Sequence, residues 1–291
     1  MSPLFERFKI LPEPTANSQS AFAGTPVATP FPLGQIPTVE VQVLPESRIA
    51  IHTDPRSAWA DRFRFLRMCL RELWNTGKLK TLLITSPLPQ DGKSTIALNL
   101  ATALAEGGKR TVALIEADLH HPTLGETLGL KSRLGLADCL ESGINPISVL
   151  RRIEPLGWYL MSAGEPRSNP TELLQTEALA SVIQELSAHF DWVLIDAPPV
   201  APLTDALLLA RQANATLLVA REGRTPRETL ERAIALLGRQ RLLGIVLNGV
   251  EGLDRLYTGY YGYNEYSRGN GVKTIPRLNP PQGSMSRRSA I

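Results

Sequence analysis

Cysteine is scarce in this chain: only Cys69 and Cys139 occur in 291 residues, each in an apolar, helix-like setting. Two thiols cannot build a disulfide framework, and neither sits at a metal-ligand spacing, so they read as reduced core thiols of a cytosolic protein. No apolar run approaches the ~18 residues that a membrane helix needs. No signal peptide is visible either, because Glu6, Arg7 and Lys9 are followed by no apolar core. A net charge of +3 is too small to argue for nucleic acid. Internal repeats are absent. With 43% hydrophobic and 20% charged residues, the composition is that of an ordinary globular protein. The expectation is a cytoplasmic chain that reaches the inner face of a membrane only through a partner.

What the chain does have is a phosphate-binding pattern. Leu82, Leu83 and Ile84 form an apolar strand, the residues from Ser86 to Gln90 make a turn, and Gly92-Lys93-Ser94-Thr95 opens a helix. This strand–loop–helix order puts backbone N–H groups and the positive end of a helix dipole at an anion. Lys93 would reach the β- and γ-phosphates, and the Ser94 hydroxyl would bind Mg²⁺. Pro87 stands where the first glycine of the usual G-x-x-x-x-G-K-[ST] pattern belongs.

Around this loop the chain divides into three parts. Residues 1–46 are rich in proline, serine and threonine and read as a disordered tail. Residues 47–250 read as one α/β domain, and residues 251–291 as a flexible tail. Asp54 and Pro55 predict a helix running to Trp74, with Asp61, Arg64 and Arg67 close together on its surface. Further strands are expected at 111–116, 158–161, 192–196, 216–220 and 243–248. Helices are expected over 93–107, 169–190, 205–212 and 226–237, with helices and loops between 123 and 157. The alternation argues a doubly wound, mostly parallel sheet with helices on both faces.

Two strands close on acids. Glu116 and Asp118 stand at the end of 111–116, where open parallel sheets bind ligands. Both reach one site only if the strand ends there. Asp196 ends the 192–196 strand as a Walker B acid, placed to support Mg²⁺. After the last strand, Asn248 leads into Tyr257, Tyr260, Tyr261, Tyr263 and Tyr266, which are five of the six tyrosines in the chain. Three readings of that cluster stand open: an interaction segment, a stacking platform that would need a basic groove not visible here, and a set of phosphoacceptors.

Over residues 52–266 these motifs resemble the cytoplasmic bacterial tyrosine kinases (BY-kinases) of capsule and exopolysaccharide systems, which are P-loop NTPases of the deviant Walker type. The segments that carry the resemblance are Thr85 to Thr95, Leu114 to Leu119, Asn169 to Leu174, Val193 to Pro199, Thr204 to Ala206, Gly244 to Asn248, and the tyrosine cluster. The resemblance implies an ATP-dependent autokinase. Gln90, Asp91, Gly92, Lys93, Ser94, Thr95 and Asn248 would bind the nucleotide, and Ser94, Glu116 and Asp196 the Mg²⁺. Lys93, Asp118 and Asp196 would carry catalysis, with Asp118 orienting or deprotonating the tyrosine. It also implies a homo-oligomeric ring whose subunit-contact motif, E-x-x-R-x-x-R, appears here as Asp61, Arg64 and Arg67. The activator would be a separate membrane chain-length regulator, and no nucleic acid is involved. The sequence departs from the family at Glu116, which replaces an aspartate, at Gln90, which replaces a frequent glycine, and at His120 and His121, which replace two arginines. The rival reading is a non-kinase P-loop ATPase switch of the chromosome-partitioning or septum-site type. A weaker third is a scaffold that binds ATP without chemistry.

Overall fold

The computed structural model describes residues 32–250, apart from 131, 202 and 203. Its strands are β1 (Thr38–Glu40), β2 (Thr81–Thr85), β3 (Val112–Glu116), β4 (Arg151–Glu154), β5 (Trp158–Met161), β6 (Trp192–Asp196), β7 (Ala215–Arg221) and β8 (Leu242–Asn248). They form one eight-stranded sheet in the order β1-β4-β5-β3-β6-β2-β7-β8. Every pairing is parallel except β4 with β5.

The central strands are apolar at successive positions because both faces of the sheet are covered. Leu82 and Ile84, Val112 and Leu114, and Trp192 and Leu194 point to one face, where they pack with α3 (Lys93–Ala105). Leu83, Ala113, Ile115, Val193 and Ile195 point to the other, beneath α5 (Leu136–Ser142), α8 (Glu177–His189) and α9 (Asp205–Gln212). Helix α3 is buried nearly all round, since α2 (Ala58–Asn75) covers its outer side. The remaining helices are α1 (Ala50–Thr53), α4 (Leu124–Thr127), α6 (Pro146–Val149), α7 (Pro170–Leu174) and α10 (Arg227–Leu237).

Several elements differ from the expectation. Residues 38–40 form an edge strand on β4, inside the stretch expected to be a tail through residue 46. Buried Ile36 joins the core, and Val41 and Val43 pack against it. The segment 123–157, read as helices and loops, contains strand β4. Helix α2 begins after Ser57, whose side chain accepts from the Ala60 N–H at 3.2 Å, rather than at Pro55. Asp54 instead ends α1, and its carbonyl accepts from the Ser57 hydroxyl. The helix expected over 169–190 is two helices, broken between α7 and α8 at Gln175 and Thr176.

Candidate nucleotide site

Strand β2 hands directly into the loop that precedes α3, and this places Lys93 at the carboxyl end of the sheet. The loop holds two left-handed residues. Gly92 has φ +99°, and a Cβ there would lie 2.1 Å from the Asn248 amide nitrogen. Glycine is therefore required both for its backbone and for space. Gln90, where a glycine is frequent, also sits at positive φ, +64°. Its side-chain oxygen accepts from Arg224 at 2.9 Å, a contact that glycine would lack.

Asp91 is fully buried and its carboxylate serves the loop itself. One oxygen accepts from the Leu88 N–H at 3.0 Å and the other from the Thr225 hydroxyl at 2.9 Å. Any contact of Asp91 with a phosphate is thus left to its backbone. Asn248, at the end of β8, donates to the Asp91 carbonyl at 2.9 Å. This closes the loop from the side and places Asn248 at the rim of the cleft.

The register of the sheet assembles the charges. Asp196 is paired with Ile84 on one side and Glu116 on the other, so β2, β3 and β6 end together. Lys93 Nζ lies 3.0 Å from Asp118 Oδ2 and 3.9 Å from Asp196 Oδ1. Burial pulls the Lys93 ammonium down, but Asp196 and Asp118 outweigh it and raise its pKa. Burial pushes the Asp196 carboxyl up to about 6, against the pull of Lys93. Asp196 Oδ1 is buried without a hydrogen-bond partner. A buried orphan oxygen beside a hydroxyl, here Ser94, suits a hard cation. Among the described residues no cluster of three or more His, Cys, Asp or Glu side chains forms a metal cage. Mg²⁺ at a phosphate site needs none, because it takes one or two protein ligands and keeps waters and phosphate oxygens.

Glu116, expected at the metal, is turned elsewhere. The strand does end at Glu116, and Asp118 reaches Lys93. One Glu116 oxygen accepts from the Leu124 N–H at 2.5 Å and the other from the Ala163 N–H at 3.2 Å. Its extra methylene, relative to aspartate, carries the carboxylate to those amides.

The whole cleft is about 1160 Å³ and runs from the loop to Trp59 and Phe63 on α2. His120 and His121 border it. His120 Nε2 lies 2.9 Å from Asp205 Oδ2, and Asp205 Oδ1 accepts from the Thr171 hydroxyl at 2.8 Å. All three residues stand in motifs noted in the sequence, yet nothing in the sequence says that they touch. On the outer side, Asp61, Arg64 and Arg67 do come together, and Glu106 at the end of α3 joins them. Arg64 lies 2.9 Å and Arg67 2.7 Å from its carboxylate, while Asp61 is 3.2 Å from Arg64. Glu106 went unnoticed in the sequence, and only the packing of α2 on α3 reveals it. Tyr257, Tyr260, Tyr261, Tyr263 and Tyr266 lie outside the described residues.

A lysine in the first turn of a helix after a strand, with an acid ending the adjacent strand, defines the P-loop NTPase class. The profile of a family described as "ParA: NUBPL iron-transfer P-loop NTPase" matches residues 80–251. The chain is similar to "Tyrosine-protein kinase YwqD" of Bacillus subtilis (strain 168), at 31% identity over 72% of this chain and 89% of that protein. It is 33% identical to "Succinoglycan biosynthesis transport protein ExoP" of Rhizobium meliloti (strain 1021), over 76% of this chain and 28% of that longer protein. Among solved structures, "BceF Tyrosine Kinase Domain" superposes with a TM-score of 0.63 at 31% identity, covering 71% of this chain and 85% of that one. The chain belongs to the ParA-type P-loop NTPases and, within them, to the bacterial tyrosine kinase (BY-kinase) family.

Proposed function

We propose that this chain is an autophosphorylating protein-tyrosine kinase that moves the γ-phosphoryl group of ATP to tyrosines of its own C-terminal segment. In this reading it regulates the synthesis or export of a capsular or extracellular polysaccharide. The observation that carries it is the buried Lys93–Asp118 pair, 3.0 Å apart, beside the unpartnered Asp196 oxygen at the phosphate-binding loop. It is supported by the relatives' names, which include tyrosine-protein kinases and a succinoglycan biosynthesis transport protein.

In the reaction the bond from the γ-phosphorus to the ADP oxygen breaks and one to the tyrosine oxygen forms. The phenolic proton leaves to Asp118 and then to solvent. Lys93 neutralises the β- and γ-phosphates, and Asp118 is released from it to meet the acceptor hydroxyl. A carboxylate is a weak base toward a phenol of pKa ~10. Positioning and electrostatics therefore supply most of the rate, as is usual for phosphoryl transfer. Mg²⁺ bound at Ser94 and Asp196 would offset the charge that develops on the phosphate oxygens. Glu116 is left out of that set because both of its oxygens are held by backbone amides. Residues 251–291 are the acceptor segment, the strip of Asp61, Arg64 and Arg67 meets a second copy of the chain in a ring, and a separate membrane-bound regulator recruits and activates the kinase.

The test is intact-mass and peptide mass spectrometry on protein purified from its host. The wild type is expected to carry phosphate between Tyr257 and Tyr266. Neither Lys93→Met nor the chain with its five tail tyrosines changed to Phe carries it, and only the latter still binds ATP. ATP turnover by a chain whose tail stays unlabelled, even with the regulator's cytoplasmic segment added, would refute the kinase reading in favour of an ATPase switch.

A further inference from the structure

The loop from β3 to α4 carries Asp118, and it is pinned at both ends. At its start the Ala117 N–H donates to the Asp196 carbonyl at 2.8 Å. At its end the Thr123 hydroxyl lies 3.4 Å from Ser94 Oγ. Between these points the Asp118 carboxylate is oriented by two contacts. Oδ2 meets Lys93, and Oδ1 accepts from the His121 N–H at 3.1 Å. That N–H belongs to the peptide joining His120 to His121. The side chain of His120, on the other side of that peptide, is anchored as well.

The anchor is Asp205, the fully buried first residue of α9. An ionised carboxylate only accepts, so this contact is a hydrogen bond in the His120 tautomer that carries its proton on Nε2. Thr171, from α7, donates to the other oxygen and keeps the carboxylate from rotating. Three separate elements, the Asp118 loop, α7 and α9, thus meet on one buried acid.

We infer that His120, Asp205 and Thr171 are positioning residues that aim the Asp118 carboxylate through the His120–His121 peptide. The inference rests on Asp118 being the group that meets the acceptor oxygen, of a tyrosine in the kinase reading and of water in hydrolysis. Freeing the middle of the loop leaves Lys93, Ser94 and the phosphate-binding backbone in place, so nucleotide binding persists while transfer slows. Displacement of a catalytic group by about 1 Å can cost on the order of a hundredfold in rate.

The experiment compares His120→Ala and His120→Gln with the wild-type full chain, measuring tail phosphorylation, ATP hydrolysis and nucleotide affinity on the same samples. His120 is a quarter exposed, and thermal melting checks that both variants keep the fold. His120→Ala is expected to lower kcat by about tenfold or more with KM and Kd for ATP within about twofold of wild type. His120→Gln, whose amide can donate to Asp205, is expected to recover most of the loss. Thr171→Val should give a smaller fall of the same kind. An unchanged kcat in His120→Ala, a fall in ATP affinity that matches the fall in rate, or a His120→Gln variant no better than Ala would overturn the assignment. The two readings separate cleanly. A wild type that hydrolyses ATP but leaves its tail unlabelled removes the kinase reading, and the positioning role then stands or falls on the hydrolysis rate of His120→Ala. A wild type that consumes no ATP removes both.

Discussion

Two clusters of charge lie at the two ends of α3, and they differ in their relation to water. At its start Lys93, Asp118 and Asp196 have side chains 10%, 6% and 1% exposed. At its far end Arg64, Arg67 and Glu106 are 27%, 24% and 34% exposed. The geometry is better at the exposed end, where Arg64 grips Glu106 through two nitrogens. Yet half-exposed ion pairs contribute little to stability, because water and salt screen them. The buried cluster has poorer geometry, with an oxygen that no donor meets, and is held at a cost in desolvation. Charge is placed in the interior for chemistry and at the surface where another molecule can compete for it. If the strip meets a second copy of the chain, Arg64 and Arg67, satisfied by Glu106 within the chain, would exchange that partner for a neighbour's at small net cost.

The contrast is broken most forcefully at Lys93. Lys93→Met leaves two buried carboxylates without their cation, which costs roughly 3–5 kcal/mol at neutral pH. Denaturant melts at pH 7 and pH 5 should show part of the loss returning at the lower pH, where the carboxyls take up protons. A loss as large at pH 5 would mean that the damage is steric.

Asp196 gives the next largest effect. Its native pKa is about 6 against an ordinary 3.8, so the folded protein holds this proton more tightly than the unfolded chain. The contribution to stability is then fully present below about pH 4 and lost as pH rises through about 6. Asp196→Asn removes this slope and stabilises the nucleotide-free protein at pH 7 by on the order of 2–3 kcal/mol, while weakening Mg²⁺-dependent nucleotide binding. The difference between the two proteins' stability curves from pH 4 to 7 isolates the group, and a flat difference would place its pKa near the ordinary value.

The smallest effect on stability belongs to Glu106. Glu106→Gln should change it by less than about 1 kcal/mol, and less still in high salt. If the strip meets a second copy of the chain, the same substitution frees Arg64 and Arg67 and strengthens self-association in analytical ultracentrifugation. Unaltered sedimentation, with Arg64→Ala equally silent, would leave the strip a plain surface network.

Strands are legible in the sequence where local pattern and burial agree. The apolar runs that became β2, β3 and β6 are covered on both faces, so they show as unbroken hydrophobic stretches. At one margin of the sheet, that of β1 and β4, the signal is lost, while the opposite edge strand β8 lies where it is expected. In β4, Arg151, Arg152 and Glu154 flank a single fully buried residue, Ile153, and in β1 no residue is buried. Such strands are held by backbone pairing, which leaves no hydrophobic signature. The break between α7 and α8 carries no glycine or proline, and Thr176 marks it only weakly. At the site, the gathering of Lys93, Ser94, Asp118 and Asp196 was legible because each stands at or just beyond a strand end or at a helix start. The true partners of Glu116, Asp91 and Asp205 were not, since each depends on backbone or hydroxyl groups brought near by the fold.

The pairing of Asp196 with Ile84 on one strand and Glu116 on the other also bears on how errors in folding are detected. A slip of one residue in either pairing would turn an acid to the opposite face and take it out of the cluster around Lys93. Such a chain could be nearly as compact as the native one, but it would have no cleft for a phosphate. A nucleotide held by that cleft would bind only the correctly paired sheet. At a hundred times its Kd it would add about 2.7 kcal/mol in favour of that pairing over every other. On the kinase reading, ATP would then act on this protein as a proofreader of its sheet before it acts as a phosphate donor.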